Sequence, residues 1–213
     1  MTPVESKALF QKRFKEIVVP VLKQDGFLGS GTTWRRVAGE VIHLLILQGS
    51  RHGGECCVNL GIHLAFLPVV GTGEMVQPKS ITEPECKFRN RLTQPRQADQ
   101  WWTYGSCEQE AVDSCHSIAE LYQAQGRSFF GRLSVCPDDF LRVAPDQLSD
   151  DALVRELYGC SGVRLALALG RVAMRFGELQ MARTYAEFGL ANLGRAVALR
   201  LPLEEILNGT TTP

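Results

Sequence analysis

The stretch that most restricts what this chain can become runs from residue 40 to residue 66. Residues 40–48 (EVIHLLILQ) are a nearly unbroken apolar run, and residues 55–66 (ECCVNLGIHLAF) alternate apolar with small or polar side chains at the two-residue period of a strand. Between them, Gly49-Ser50-Arg51-His52-Gly53-Gly54 is rich in turn formers. The pattern predicts a β-hairpin whose second strand sends Val58, Leu60, Ile62 and Leu64 to one face and Asn59, Gly61 and His63 to the other.

The flanking sequence supplies helices and further strands. Phe10, Phe14, Ile17, Val18 and Val21 recur at helical spacing up to a stop at Gly26, and Pro20 inside that pattern is expected to kink the helix or detach its last turn. Gly29 and Gly31 mark a turn before a first strand over residues 32–37 (TTWRRV). Residues 68–84, rich in Gly, Pro, Thr and Glu, read as a loop over one edge of the sheet. Residues 87–93 (KFRNRLT) alternate like another strand, and residues 101–104 (WWTY) read as a short extended piece covering the sheet end.

Ser106 and Gln109 have the spacing of a capping box, followed by a helix from residue 107 to about 125 that Gly126 ends. Residues 137–143 suit a short helix, and Ser149 is a candidate N-cap for another that ends at Gly159. Residues 162–193 place Gly170, Ala173, Gly177, Ala182 and Gly189 where a tetratricopeptide repeat keeps small residues for close helix contact; a single such unit cannot bury its own face, so a helical hairpin docked on the main domain is expected, and Pro202 suits the first turn of a final helix. The expected class is α+β: an N-terminal helix packed on a three- or four-stranded antiparallel sheet, followed by C-terminal helices including that hairpin. The expected division is an α+β domain over residues 1–145 and a docked helical extension over residues 146–213.

Composition narrows the functional classes. With 23 basic and 23 acidic residues the chain has zero formal net charge, so no duplex nucleic acid is expected as a partner. The N-terminal MTPVESKALFQKRF carries charge where a signal peptide needs an apolar core, and no window reaches the length of a membrane span, so a cytoplasmic protein without membrane contact is expected. Seven cysteines, an odd number, point to free thiols in place of a disulfide framework. Adjacent Cys56 and Cys57 diverge on a strand, as Cys115 and His116 do on a helix, so no metal is expected, and no dinucleotide, phosphate-loop or nucleophile-elbow motif implies a cofactor.

Several short motifs, in order, carry a resemblance. Pro20-x-Leu22-Lys23-x-x-Gly26-Phe27, Thr33-Trp34-Arg35-Arg36 and Val58-Asn59-Leu60-Gly61-Ile62 are followed by Cys86-x-x-Arg89-x-Arg91-Leu92 and Asp99-x-Trp101-Trp102. Over roughly residues 7–130 the chain resembles the bacterial family called domain of unknown function 4304. That resemblance implies no activity and no catalytic residues.

The functional hint comes from the polar face of the hairpin. Asn59 and His63 share it, and Arg89 and Arg91 join them if residues 87–93 pair in the same sheet; Trp34 and Arg36, or Arg35, join according to register. Arginine and histidine there suit a phosphate, a carboxylate or an acidic partner, although the solvated face of an ordinary antiparallel sheet has the same pattern. Trp101 and Trp102, near Arg96, suit either stacking on a ligand or covering the core. The candidate binding residues are therefore Asn59, His63, Arg89, Arg91, Trp101 and Trp102. The expectation is a non-catalytic module of regulatory or immunity type that recognises a protein partner. The alternative is an enzyme acting on a phosphorylated or nucleotide-like substrate, with Arg89 and Arg91 as anchors and His63 as acid or base.

Overall fold

A computed structural model describes residues 2–69, 73–95, 97 and 99–209. Helix α1 (Pro3–Gln24) starts on a capping box between Thr2 and Glu5 and buries Phe10, Phe14, Val18 and Leu22, the stripe its periodicity dictates. Helical backbone runs through Pro20 without interruption. That proline is on the exposed side, so only one solvent-facing backbone bond is lost. Gly26, at φ 82°, stops the helix in a conformation that costs other residues dearly.

Strands β1 (Leu28–Ser30), β2 (Thr33–Ala38), β3 (Val41–Gly49), β4 (Glu55–Leu64) and β5 (Phe88–Arg91) follow in antiparallel order, and β6 (Trp102–Thr103) pairs with the start of β4. The sheet thus has six strands where three or four were expected. Of the two additions, β6 lies within the extended piece expected over residues 101–104, and β1, three residues long, is too short for an alternation pattern to register. At the centre the hairpin has Leu45 opposite Leu60 and Leu44 opposite Gly61.

The first face carries Trp34, Leu45, Val58, Leu60, Ile62 and Phe88 into the main core, together with α1 and α2 (Glu108–Leu121). Phe14 meets Trp34 at 4.9 Å between ring centroids, which fixes α1 over this face. The second face is also covered. Val69, Ile81 and Cys86 pack on Ile42 and Leu44 in a separate small core, so the 68–84 connection, as far as it is described, crosses a face instead of following an edge. Gly61 makes this possible, since a Cβ there would lie 2.8 Å from the Cys86 sulfur. Arg35 fastens the same cover by donating to the Ile81 carbonyl at 2.9 Å.

Helix α2 is capped by Ser106 and Glu110, one residue beyond the predicted partner: the Glu110 carboxylate accepts from the Ser106 amide at 2.7 Å, while Gln109 turns to Asp113. Gly126 does not end the helix. A π-helical turn, Tyr122–Gly126, leads directly into α3 (Arg127–Arg132), and Gly126 holds helical angles. It is glycine for space, because a Cβ would sit 2.6 Å from the Tyr122 ring.

Beyond α4 (Asp138–Leu141), helix α5 (Asp151–Tyr158) is capped by Asp150, whose side chain accepts from the Leu153 amide, and not by Ser149. Gly159 closes it at φ 65° and lies on β5: a Cβ there would be 1.4 Å from the Arg89 carbonyl oxygen. Helices α6 (Gly162–Arg175) and α7 (Leu179–Ala191) form the helical hairpin, turning at Gly177, and α8 (Arg200–Leu207) packs on it. Gly189 is pressed against the Leu203 side chain, where a Cβ would be 2.7 Å away, so the small-residue spacing does mark close helix contact.

Candidate functional site

A cleft of about 520 Å³ opens on the second face where β3, β4 and β5 meet Glu83 and the end of α5. Register places Asn59 opposite Arg91 and Gly61 opposite Arg89, so both arginines emerge on the face that carries Asn59. Gln48, Asn59, Glu83, Arg89, Asn90, Arg91, Arg155 and Gly159 line the cleft.

Its floor is a bonded chain. The Asn59 amide donates to Gln48 Oε1 at 2.6 Å, and Asn59 Oδ1 accepts from Arg91 Nε at 2.9 Å. Arg91 Nη1 reaches Asp99 at 2.6 Å, the Trp101 indole donates to the other Asp99 oxygen at 2.9 Å, and the Arg91 guanidinium lies 5.6 Å from the Trp101 ring centroid. Arg91 and Trp101 are therefore held in place before anything binds. Hydrogen bonding from Arg91 keeps the Asp99 carboxyl below its ordinary range.

The walls are looser. Arg89 has Glu83 at 3.6 Å, and Arg155 is drawn to Asp151 at 2.7 Å on its own helix. Burial pushes the Glu83 carboxyl up, and Arg89 and Arg91 offset this only in part. Three guanidiniums and one carboxylate line the cleft, while Asp99 and Asp151 pair Arg91 and Arg155 from outside the lining, so N–H donors outnumber the carboxylates that face the opening. Guanidiniums and amides in this arrangement can hold a carboxylate or another oxyanion. Among the lining side chains Glu83 alone can exchange a proton in the ordinary range.

Of the six candidates, Asn59, Arg89 and Arg91 line the cleft, and Trp101 joins through Asp99 and Arg91. His63 and Trp102 do not. His63 is 1 % exposed beneath the chain that covers this face, its Nε2–H donates to the Leu67 carbonyl at 3.0 Å, and burial pushes its pKa down to about 4. The expected open polar face is therefore closed at that end, and His63 is no acid or base for the cleft. Trp102 is 4 % exposed on the opposite face and donates to Ser117 of α2 at 3.1 Å, because adjacent strand residues point to opposite sides. Arg35 lies on the second face by register, whereas Trp34 and Arg36 lie on the first. Arg96 lies outside the described residues.

Four contributors were not singled out from sequence. Gln48 ends the apolar run of β3, and its polarity there was the available signal. Asp99 stands two residues before Trp101 in a motif that gave it no role. Glu83 and Arg155 come from outside the strands, and nothing local in their sequence announces a shared cleft.

Among the described residues no group of three His, Cys, Asp or Glu side chains is placed to hold a metal ion, and no described helix is long and apolar enough to cross a membrane. No curated protein and no solved structure matches the chain. Residues 18–132, more than half of the chain, match the family described as Domain of unknown function (DUF4304), and the chain belongs to that family.

Proposed function

We propose that the chain is a non-catalytic recognition module, of regulatory or immunity type, that takes an acidic segment of a protein partner into the Arg89–Arg91–Arg155 cleft. One observation carries this reading: three guanidiniums, each with a carboxylate beside it, turn N–H donors toward an open cleft whose floor is already fixed by Asn59, Asp99 and Trp101. A fixed floor with looser walls suits a carboxylate-bearing chain, since Arg91 is ordered in advance while Arg89, at 3.6 Å from Glu83, and Arg155, in an exposed pair with Asp151, can exchange those contacts for the ligand. In the same reading residues 146–213 are an extension docked on the α+β domain, and they complete the cleft through Arg155 and Gly159. The rival, an enzyme on a phosphorylated or nucleotide-like substrate, loses His63 and would need Glu83 as its proton carrier.

Affinity capture with the full chain from a native bacterial lysate tests the proposal. Arg89→Glu and Arg155→Glu should each lower recovery of the captured partner at least tenfold while leaving the melting temperature within about 2 °C, because exposed charge changes of this kind move stability little. Binding of the recovered partner should weaken steeply as salt is raised. Unchanged capture by both variants would overturn the reading. So would turnover of a phosphate ester that Glu83→Gln abolishes.

A further inference from the structure

On the first face, Arg36 is a half-buried cation with no ion-paired carboxylate among the described residues. Its Nε and Nη2 both approach His43 Nδ1, at 3.0 and 2.8 Å, and Nη1 donates to the Asp25 backbone carbonyl at 3.0 Å. The rings of Phe27 and Phe130 stand 5.1 and 5.9 Å from the guanidinium carbon. A guanidinium only donates, so Nδ1 must accept, and Nε2–H must donate to the Leu133 carbonyl at 3.0 Å. His43 is therefore a neutral imidazole with both nitrogens engaged. Burial first, and then Arg36, push its pKa down to about 4.

The carboxylate that does lie nearby belongs to another partner. Asp25 accepts from the Tyr122 hydroxyl at 2.8 Å and from Arg127 at 2.8 Å (Nε) and 3.1 Å (Nη2). The π-turn brings Tyr122 and Arg127, five residues apart, onto this one side chain. Such turns recur at functional sites. Ser134, across the mouth, is tied to Asp139, whose charge is matched by Arg142 at 3.4 Å.

A cavity of about 380 Å³ is lined by Arg36, Asp25, His43, Tyr122, Arg127 and Phe130, among others. Two guanidiniums face one carboxylate there, a surplus of one positive charge. Arg36 has five N–H donors and its bonds use three, leaving one on each terminal nitrogen without a protein acceptor among the described residues. Desolvating a cation against neutral acceptors alone is costly unless an anion completes the site.

We propose that this cavity binds a small monocarboxylate, gripped by the two remaining terminal N–H groups of Arg36, with Arg127 at the mouth and Phe130 against the ligand's apolar part. A planar carboxylate fits two N–H groups of one guanidinium, and its single charge cancels the surplus, whereas a phosphate dianion would overshoot it. The cavity is on the opposite side of the sheet from the Arg89–Arg91 cleft, and all its cations belong to residues 18–132.

The test is titration of the full chain with sodium benzoate at constant ionic strength, following the Arg36 Nε–H resonance by ¹⁵N correlation spectroscopy and heat by calorimetry. A saturable shift of that resonance is expected, with acetate and inorganic phosphate each binding at least threefold more weakly. Arg36→Gln should reduce benzoate affinity at least tenfold. Arg127→Gln, at the exposed mouth, should reduce it severalfold and is the deciding variant should Arg36→Gln fail to fold. Arg89→Glu in the other cleft should leave it unchanged. The proposal is overturned by an Arg36 resonance that does not respond, by phosphate binding more tightly than benzoate, or by folded Arg127→Gln protein with wild-type affinity.

Discussion

The two faces of the central sheet are built from the same alternating strands and closed in different ways. The first is roofed by α1 and α2 in the main core, which continues into the C-terminal helices. The second is roofed by Val69, Ile81 and Cys86 on Ile42 and Leu44, a small core held by one irregular connection and the Arg35 bond to Ile81. Each face seals in one neutral histidine, His43 on the first and His63 on the second. His43 has partners at both ring nitrogens, whereas Nδ1 of His63 has none among the described residues. A helical roof arrives with its own backbone bonds satisfied and a wide apolar stripe. A connecting segment brings only a few side chains, and the second face is correspondingly polar enough to keep a cleft at its β5 side.

The largest expected contrast comes from truncating one residue in each roof or floor. Leu60→Ala, on the first face at 1 % exposure, should cost about 2–5 kcal/mol of global stability in urea melts. Ile81→Ala should instead act locally: amide exchange in β3 and the 73–86 segment should quicken far more than exchange in α2. Equal global losses with uniform exchange would mean that the two roofs are one cooperative unit.

Acid gives the next effect. Both histidines are held neutral with pKa values near 4, below an ordinary 6.5. Between those values the unfolded chain takes up protons that the folded chain refuses, so the contribution is complete above about pH 6.5 and disappears as pH falls to about 4. A shift of this size corresponds to roughly 3 kcal/mol per histidine. Urea melts at pH 7 and pH 4.5 should show the loss. His63→Leu should remove about half of it with little change at pH 7. His43→Leu should also cost about 1–3 kcal/mol at pH 7, because Arg36 is left without its acceptor. If both variants behave alike at pH 7, the contrast between the two faces is broken.

The smallest effect belongs to the fastening of the second roof. Arg35→Ala removes one bond to the Ile81 carbonyl and should lower stability by about 1 kcal/mol, read from the urea midpoint, with exchange quickened only in the 73–86 segment.

Much of the fold was legible because its signals are periodic. The apolar run of β3 and the alternation of β4 placed the hairpin and assigned Leu60 and Asn59 to opposite faces, and the stripe of α1 identified Phe10, Phe14 and Val18 as core. Glycine was harder to read. Gly26 and Gly159 end helices through positive φ, but Gly126 holds helical angles and makes room for the Tyr122 ring one turn earlier, and composition does not separate the two uses. His63 shows a different limit. Its face follows from period two, while its burial depends on a segment whose composition reads as exposed loop. The cleft was half legible for a related reason: Asn59, Arg89 and Arg91 follow from strand alternation, whereas Glu83 and Arg155 reach it from a turn and a helix.

By itself the sequence determined the α+β class, the hairpin, the division of the second hairpin strand's side chains between two faces, and the family to which the chain belongs. Those properties are set by short-range stereochemistry, in which each residue's neighbours lie within a few positions of it. Tertiary structure alone decided which polar residues stay wet. It buried His63 and His43, left Arg89 and Arg155 at the rim of a cleft, and gave Asp25 to Arg127 while Arg36 received only neutral acceptors. Solvation and charge pairing depend on segments far apart in the chain arriving at the same place, and no local pattern records that meeting.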